Sequence, residues 1–247
     1  MKRVALIVTV AVTLGVALVA PCVLAQQKNL SNVVDRDSLA FGRSYGELSA
    51  AFWQWSLSIP VANHPLFDNG DCSVGQSGDV WFIGPRFCIS GSSDCNQGSI
   101  TRSCSIPRGK AIFFPIVSAE DSAPEEPAFG CGTSLAPLIA GTTDELAQCA
   151  QFYYFYGVTS VSAEIDGVVV PNLMKDFHVQ SPVYGYTMPN DNLLNAIGEG
   201  PYPAGNYFPA VANGVYVLLS PLSPGRHVIK FSANPLYNAT YTLNVAK

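Results

Sequence analysis

Prolines and glycines divide most of this chain into short apolar segments, and that division limits the folds it can adopt. Residues 79–84, 111–117, 215–220 and 227–232 are rich in Val, Ile, Leu, Phe or Trp, and each borders a turn sequence. Segments of this length and composition are typical of β-strands. The sequence therefore predicts a mostly β fold, an antiparallel β-sandwich of the immunoglobulin-like or jelly-roll-like type, with two short α-helices packed on it.

Two turn sequences predict how neighbouring strands connect. Asp166-Gly167 stands between 161–165 and 168–170, and this dipeptide favours the tight primed turn of a hairpin. Pro107-Arg108-Gly109-Lys110 is a second turn sequence, between 101–106 and 111–117. We expect both pairs of segments to form hairpins.

The first helix is predicted to begin just after Ser44. Ser44 and Glu47 match the capping box, in which each side chain bonds the other residue's backbone amide, and Pro60 ends the helix. Trp53 lies about 200° around the helix from Trp55, so one of the two indoles is expected to point away from the core. One apolar stripe recurs at three- and four-residue steps: Tyr45, Leu48, Phe52, Trp55 and Ile59.

The first 25 residues match a secretory leader. Lys2 and Arg3 precede a run that is almost wholly apolar from Val4 to Ala20, and Val23-Leu24-Ala25 resembles a signal-peptidase site. The apolar run is shorter than the about 20 residues of a membrane-spanning helix. We expect cleavage after Ala25 and a secreted or periplasmic protein with no membrane span. A retained anchor and lipidation at Cys22 are the alternatives.

Six cysteines remain after the leader, and an even number in an exported chain is typical of disulfides. Many pairings are possible, and the one favoured here joins near neighbours or adjacent strands: Cys88 with Cys95, Cys131 with Cys149, and Cys72 with Cys104. No C-x-x-C pair is present, which argues against a zinc site. The cysteines therefore predict a disulfide-braced domain in an oxidising compartment.

Charge and segment boundaries narrow the class of protein further. Loss of Lys2 and Arg3 with the leader leaves 11 basic and 18 acidic residues, a net charge of −7 that would repel nucleic acid. Residues 26–40 are polar, and we expect them to be flexible. Residues 41–247 contain no clear linker and are predicted to form a single domain, with a second helix over 142–154.

Four groups of residues resemble a group of uncharacterised exported bacterial proteins, over roughly residues 41–232. The resemblance implies export from a bacterial cell and carries no activity with it. The residues that support it are Tyr45-Gly46-Glu47 with Trp53-Gln54-Trp55 and Ile59-Pro60, then Val80-Trp81-Phe82, then Ile106-Pro107 with Gly109-Lys110-Ala111 and Phe113-Phe114-Pro115-Ile116, and finally Pro221, Ser223-Pro224-Gly225 and His227.

Aromatic residues are the most suggestive candidates for a binding site. Residues 181–212 are rich in Pro, Gly, Tyr and Asn, and they predict a long irregular loop with one helical turn at 189–197. Exposed Tyr and Trp offer flat faces to sugars and a polar tip for hydrogen bonds. Packing of the tyrosines onto the sandwich is the interpretation favoured here, with ligand binding as the alternative. The predicted ligand-binding residues are Trp53, Tyr184, Tyr186, Asp191 and Tyr207.

Carboxylates and histidines offer further candidates. Glu120-Asp121 with Glu125-Glu126 is one of the densest acidic groups. Such groups can bind calcium or act as an acid–base pair on a glycosidic bond, but a solvated acidic loop is the interpretation favoured here. The histidines show no metal-ligand spacing, and no cofactor fingerprint is present. We expect neither metal nor cofactor. The three histidines of the mature chain are His64, His178 and His227.

The leading functional hypothesis is a non-catalytic exported protein that binds a glycan or another component of the cell envelope. One alternative is an extracellular polysaccharide hydrolase or lyase that uses carboxylate, Tyr or His side chains. Convergence of Asp176, His178, Tyr184 and Asp191 in one cleft would favour it. The other alternative is a structural envelope or matrix protein. Fold class alone does not separate the three.

Overall fold

The computed structural model describes residues 30, 32–92, 99–125, 142–155 and 157–247. The described helices are α1 (Tyr45–Ser58), α2 (Thr143–Phe155), α3 (Leu173–Asp176) and α4 (Leu193–Ile197). The described strands are β1 (Val80–Phe82), β2 (Ser99–Ile106), β3 (Ala111–Ser122), β4 (Ser160–Ile165), β5 (Val168–Val169), β6 (His178–Gln180), β7 (Tyr184–Met188), β8 (Gly205–Leu219), β9 (Gly225–Asn234) and β10 (Tyr237–Val245). The expected mostly β fold is confirmed.

The strands form two five-stranded sheets that pack as a sandwich. In the first sheet β3 lies between β1 and β8, and β8 also pairs with β6 and β7. The second sheet has the order β2-β10-β9-β4-β5. Most neighbours are antiparallel as expected, but β1 with β3 and β2 with β10 run parallel, so both sheets are mixed.

One of the two expected hairpins forms. β4 and β5 pair antiparallel around Asp166 and Gly167, whose φ angles of 50° and 83° are the positive values of a primed turn. The expected pairing of 101–106 with 111–117 is wrong. β2 pairs with β10 in the second sheet and β3 with β8 in the first, so Pro107-Arg108-Gly109-Lys110 carries the chain across the sandwich.

Strand β3 is covered on both faces, which explains its nearly continuous apolar sequence. Phe113 and Phe114 are fully buried and point to opposite sides of the sheet. Phe113 stacks on Tyr216 of β8 at 5.2 Å between ring centroids and meets Tyr45 of α1 at 5.7 Å. Phe114 lies 5.0 Å from Phe231 of the second sheet. Helix α1, the first sheet and the second sheet therefore form three successive layers.

Helix α1 begins with the predicted capping box. The Glu47 amide donates to Ser44 Oγ at 3.3 Å, and the Ser44 amide donates to Glu47 Oε2 at 2.7 Å. The expectation that Trp53 or Trp55 points away from the core is wrong, because both are buried. The segment after the helix covers its outer side, so that Trp55 meets His64 and Trp53 meets Phe87.

Residues 181–212 are more regular than the sequence predicts. They contain β7, α4 and the first half of β8, and the helical turn expected at 189–197 is α4. Strand β7 lies against β8 with Tyr184 opposite Ala210 and Tyr186 opposite Tyr207. Residues 32–40, expected to be flexible, include Val33 in a bridge with Leu219 at the end of β8.

Arg102 on β2 joins the second sheet to the segments before and after β1 through hydrogen bonds. Its guanidinium donates to Asp68 at 2.6 Å, to the Gly84 carbonyl at 3.1 Å and to the Leu66 carbonyl at 3.2 Å. It also lies 2.5 Å from the Tyr241 hydroxyl. Only 9% of the Arg102 side chain is exposed, so these bonds replace water for a buried charge.

One of the three favoured disulfides is confirmed. Cys72 and Cys104 are bonded and tie the loop before β1 to β2, with 5.6 Å between their Cα atoms. Cys149 is also disulfide-bonded. Cys95 and Cys131, the expected partners of Cys88 and Cys149, lie outside the described residues.

Replacing Arg102 is expected to destabilise the sandwich strongly. Arg102→Ala removes charge-assisted hydrogen bonds to the Leu66 and Gly84 carbonyls and to Asp68, which predicts a loss of about 3 kcal/mol in the free energy of unfolding. Urea unfolding of the disulfide-bonded protein measures it. Arg226→Ala is the control, because Arg226 is exposed and makes one 3.4 Å bond to Thr242. A loss no greater than that of the control would contradict the role given to Arg102.

Candidate functional site

The far end of β3 carries carboxyl groups into a cavity of about 260 Å³. We call it the acidic pocket, because it is lined by four acidic side chains, those of Glu120, Asp121, Glu125 and Glu199. Asp121 and Glu125 are almost fully buried. Glu199 follows α4 and is exposed, although partial shielding of its carboxyl group raises its pKa.

The remainder of the lining is mostly apolar. Trp53 of α1 and Phe87 lie 6.2 Å apart between ring centroids and form an aromatic pair on one side. Leu193, Leu194 and Ile197 of α4 line another part. The pocket therefore combines an apolar surface with carboxyl groups, an arrangement that is typical of sites for small polar ligands.

Glu125 is held in place by its neighbours. Its Oε2 accepts from the Ser122 amide at 3.0 Å, and its Oε1 accepts from the Tyr186 hydroxyl. The Ser122 and Tyr186 hydroxyls lie 3.1 Å apart. Burial raises the pKa of Glu125 to about 7, against an ordinary value of 4.5, so its carboxyl exchanges a proton near neutral pH.

Glu120 is a second carboxyl group of the pocket whose pKa is raised. Burial raises its pKa well above the ordinary value, and repulsion from Glu125 and Asp121 adds to the effect. The residue as a whole is half-buried, yet its Oε2 is shielded from solvent and has no hydrogen-bond partner within the described ranges. Buried polar atoms of this kind are uncommon and are often found at functional sites.

Tyrosines lie behind the carboxyl groups. Tyr184 is 7% exposed, and its hydroxyl has no hydrogen-bond partner in the described part of the chain. Burial raises the pKa of Tyr184, and the negative charge of Glu120 raises it further. Tyr186 stacks on Tyr207 at 5.2 Å. Tyr202 donates to the Glu125 carbonyl at 3.4 Å.

The structure divides the predicted ligand-binding residues. Trp53 lines the acidic pocket, whereas Tyr184, Tyr186 and Tyr207 are buried behind it. These three tyrosines therefore pack on the sheet, which was the favoured interpretation, because pairing of β7 with β8 turns the rings onto it. Asp191 lies elsewhere and accepts from the Ala62 amide at 2.8 Å. Their role in binding stays a prediction.

The sequence did not predict the acidic pocket. Glu120, Asp121 and Glu125 were expected to form a solvated loop, and that is wrong, because β3 continues to Ser122 and buries them. Alternation of Ser118, Glu120 and Ser122 was the available signal for a strand. Glu199 is 74 positions beyond Glu125, and no sequence pattern connects the two. Glu126 lies outside the described residues.

The histidines have structural environments. His64 Nδ1 accepts from the Leu66 amide at 3.0 Å, and its Nε2 lies 2.9 Å from the Ser56 carbonyl. Burial lowers the pKa of His64 to about 4, so the ring is neutral. His178 bonds Asn213 at 2.6 Å. Within the described residues, no three His, Cys, Asp or Glu side chains are arranged to hold a metal ion.

Ser223, His227 and Asp166 are placed in the order of a catalytic triad, but their contacts do not suit one. Asp166 lies 2.7 Å from His227 Nδ1, and Ser223 Oγ lies 3.4 Å from Nε2. The Ser223 carbonyl is closer to Nε2, at 2.9 Å, so both ring nitrogens face an acceptor. A general base needs Nε2 free to accept a proton from serine. The ring instead joins two turns.

A larger groove of about 510 Å³ lies beside Trp55. Arg43 and Asp79 are its only charged lining residues in the described part of the chain. The carboxyl group of Asp79 is exposed, whereas the acidic pocket contains buried carboxyl groups, so the acidic pocket is the better candidate site.

Comparisons with protein-family models, curated proteins and solved structures found no match to this chain. The resemblance to exported bacterial proteins therefore stays a prediction. Among the described residues, none of the helices has the length and apolar character needed to cross a bilayer.

The raised pKa of Glu125 predicts that the free energy of unfolding falls as the pH rises. Folding raises the pKa of Glu125, so its contribution to stability is full below about pH 4.5 and is lost as the pH rises through about 7. Glu125→Gln keeps the acceptor but removes the titration. We expect the variant to lose less stability than wild type between about pH 5 and about pH 8, by up to about 3 kcal/mol.

Urea unfolding across this pH range measures the difference. Glu164→Gln is the matched control, because Glu164 pairs with Lys230 on the second sheet, away from the pocket. In this control the free energy of unfolding should change with pH as it does in wild type. If the free energy of unfolding changes equally with pH in wild type and in Glu125→Gln, the pKa of Glu125 is not raised by folding.

Proposed function

We propose that this protein is exported and binds a carbohydrate in the acidic pocket without transforming it. The observation that supports the proposal most is the shielded Glu120 Oε2, an atom of a lining residue that lacks a hydrogen-bond partner among the described residues. A buried polar atom without a hydrogen bond costs about 1–3 kcal/mol. A ligand rich in hydroxyl groups would supply the missing bond.

The apolar lining supports the same ligand class. Sugars present both hydroxyl groups and flat C–H faces, and aromatic side chains contact such faces well. Trp53 and Phe87 lie in the same pocket as the four carboxyl groups. A cavity of about 260 Å³ is small for a ligand site, which favours one or two sugar units over a long polymer segment.

Export is supported by the leader pattern and by the cysteines. Residues 1–25 have the charged, apolar and small-residue regions of a secretory leader. The Cys72–Cys104 bond and the disulfide at Cys149 are typical of an oxidising compartment. We infer a secreted or periplasmic location, where glycans of the cell envelope are available as ligands.

Filling the pocket is expected to abolish carbohydrate binding. Ile197 is half-buried in the lining, and Ile197→Trp should lower retention on soluble or insoluble glycans by about tenfold or more, because the indole would occupy the cavity. Ile197→Val is the control and should bind as wild type does. If wild type is retained on none of the tested glycans (glucans, xylans, chitin and peptidoglycan), the proposal is contradicted.

A second function is favoured by one observation. A carboxyl group with a pKa of about 7 suits a general acid that protonates a glycosidic oxygen near neutral pH. Glu125 has that pKa, and the pocket supplies further carboxyl groups to act as nucleophile or base. In this alternative the protein is a glycoside hydrolase.

Turnover separates the two functions. A hydrolase should release reducing ends from a bound polysaccharide, and Glu125→Gln should lower kcat by at least about a hundredfold while leaving retention unchanged. A binding protein should release none. Release that persists in Glu125→Gln would exclude Glu125 as the general acid.

A further inference from the structure

We propose that the acidic pocket selects ligands that carry a protonated amino group, so that an amino sugar with a free amine is preferred to a neutral sugar. This inference rests on the proposed carbohydrate function and names the ligand class. It follows from the charge of the lining, from the unpartnered oxygen of Glu120 and from the aromatic pair.

The charge of the lining is of one sign. Four of its residues are acidic, and none of the described lining residues is Lys, Arg or His. The carboxyl groups of Glu120 and Glu125 take up protons more readily than usual, because burial and mutual repulsion disfavour their charged forms. An ammonium group would stabilise those charged forms in place of the protons.

One oxygen of the lining itself points to a ligand. Glu120 lines the pocket, and its Oε2 is shielded from solvent and has no hydrogen-bond partner among the described residues. A carboxylate oxygen accepts hydrogen bonds, and an ammonium group is a donor that also carries the complementary charge.

The aromatic pair and the size of the pocket favour an organic cation over a metal ion. The side chains of Trp53 and Phe87 do not coordinate metal ions, but their aromatic rings attract ammonium groups. The described residues contain no group of three acidic, His or Cys side chains with metal-binding geometry. A cavity of about 260 Å³ with Leu193, Leu194 and Ile197 in its lining also has room for the carbon skeleton that carries the amine.

The test compares two pairs of ligands whose members differ in positive charge, by four amines in the sugar pair and by one amine in the pair without sugar. Tetramers of glucosamine and of N-acetylglucosamine form the sugar pair, and 1-aminopentane and 1-pentanol form the pair without sugar. Affinities are measured by calorimetry on the disulfide-bonded protein at low salt and about pH 6, where amines are protonated. We expect the amine to raise affinity by about tenfold or more, and the gain to shrink at high salt.

Variants of the pocket test whether its carboxyl groups cause the preference for amines. Glu120→Gln with Glu125→Gln should reduce the amine effect to about twofold or less, and Glu164→Gln should leave it unchanged. If the double variant does not fold, as judged by urea unfolding, Glu199→Gln at the mouth of the pocket replaces it. An amine effect that persists in the pocket variants would overturn the assignment.

The outcomes for the two proposals differ. Equal affinity for the two tetramers would overturn the amine preference and leave carbohydrate binding in place. An amine effect in the pentyl pair alone, with neither tetramer bound, would support the amine preference and overturn the carbohydrate function. Binding of none of the four ligands would overturn both.

Discussion

The pairing of β3 with β8 is the interaction on which the other layers depend. Phe113 and Phe114 are adjacent in sequence, yet one packs towards α1 and the other against the second sheet. Because successive side chains of a strand alternate between its faces, a slip of one residue would exchange these two surfaces. The register of this pair therefore positions both the helix layer and the second sheet.

The same two strands carry the structure from its core to its candidate site. Phe114 is opposite Val217 in the apolar half of the ladder, and Glu120 is opposite Ala212 in the half that reaches the acidic pocket. Burying carboxyl groups there opposes folding, because each charge loses hydration. The apolar half of the ladder offsets that cost, as do the hydrogen bonds of Arg102 in the second sheet.

Sequence reasoning was most accurate where the decisive interactions are local. The capping box at Ser44 and Glu47 and the turn at Asp166-Gly167 involve residues within a few positions of each other, and both formed as predicted. Strand pairing was predicted wrongly where it depends on segments that are distant in sequence. The 101–106 and 111–117 segments were expected to pair, but each finds a longer partner in a different sheet.

The sequence by itself determined the β-rich fold and the start of α1, because residue alternation, turn residues and a capping box are encoded in short stretches. It left many cysteine pairings open, and the tertiary structure decided that Cys72 bonds Cys104. Only the tertiary structure decided that Glu120, Glu125 and Glu199 share one pocket with Trp53. These residues come from β3, from the turn after it, from the end of α4 and from α1. Their separations in sequence are large, and the strand register and helix packing that bring them together depend on the whole core.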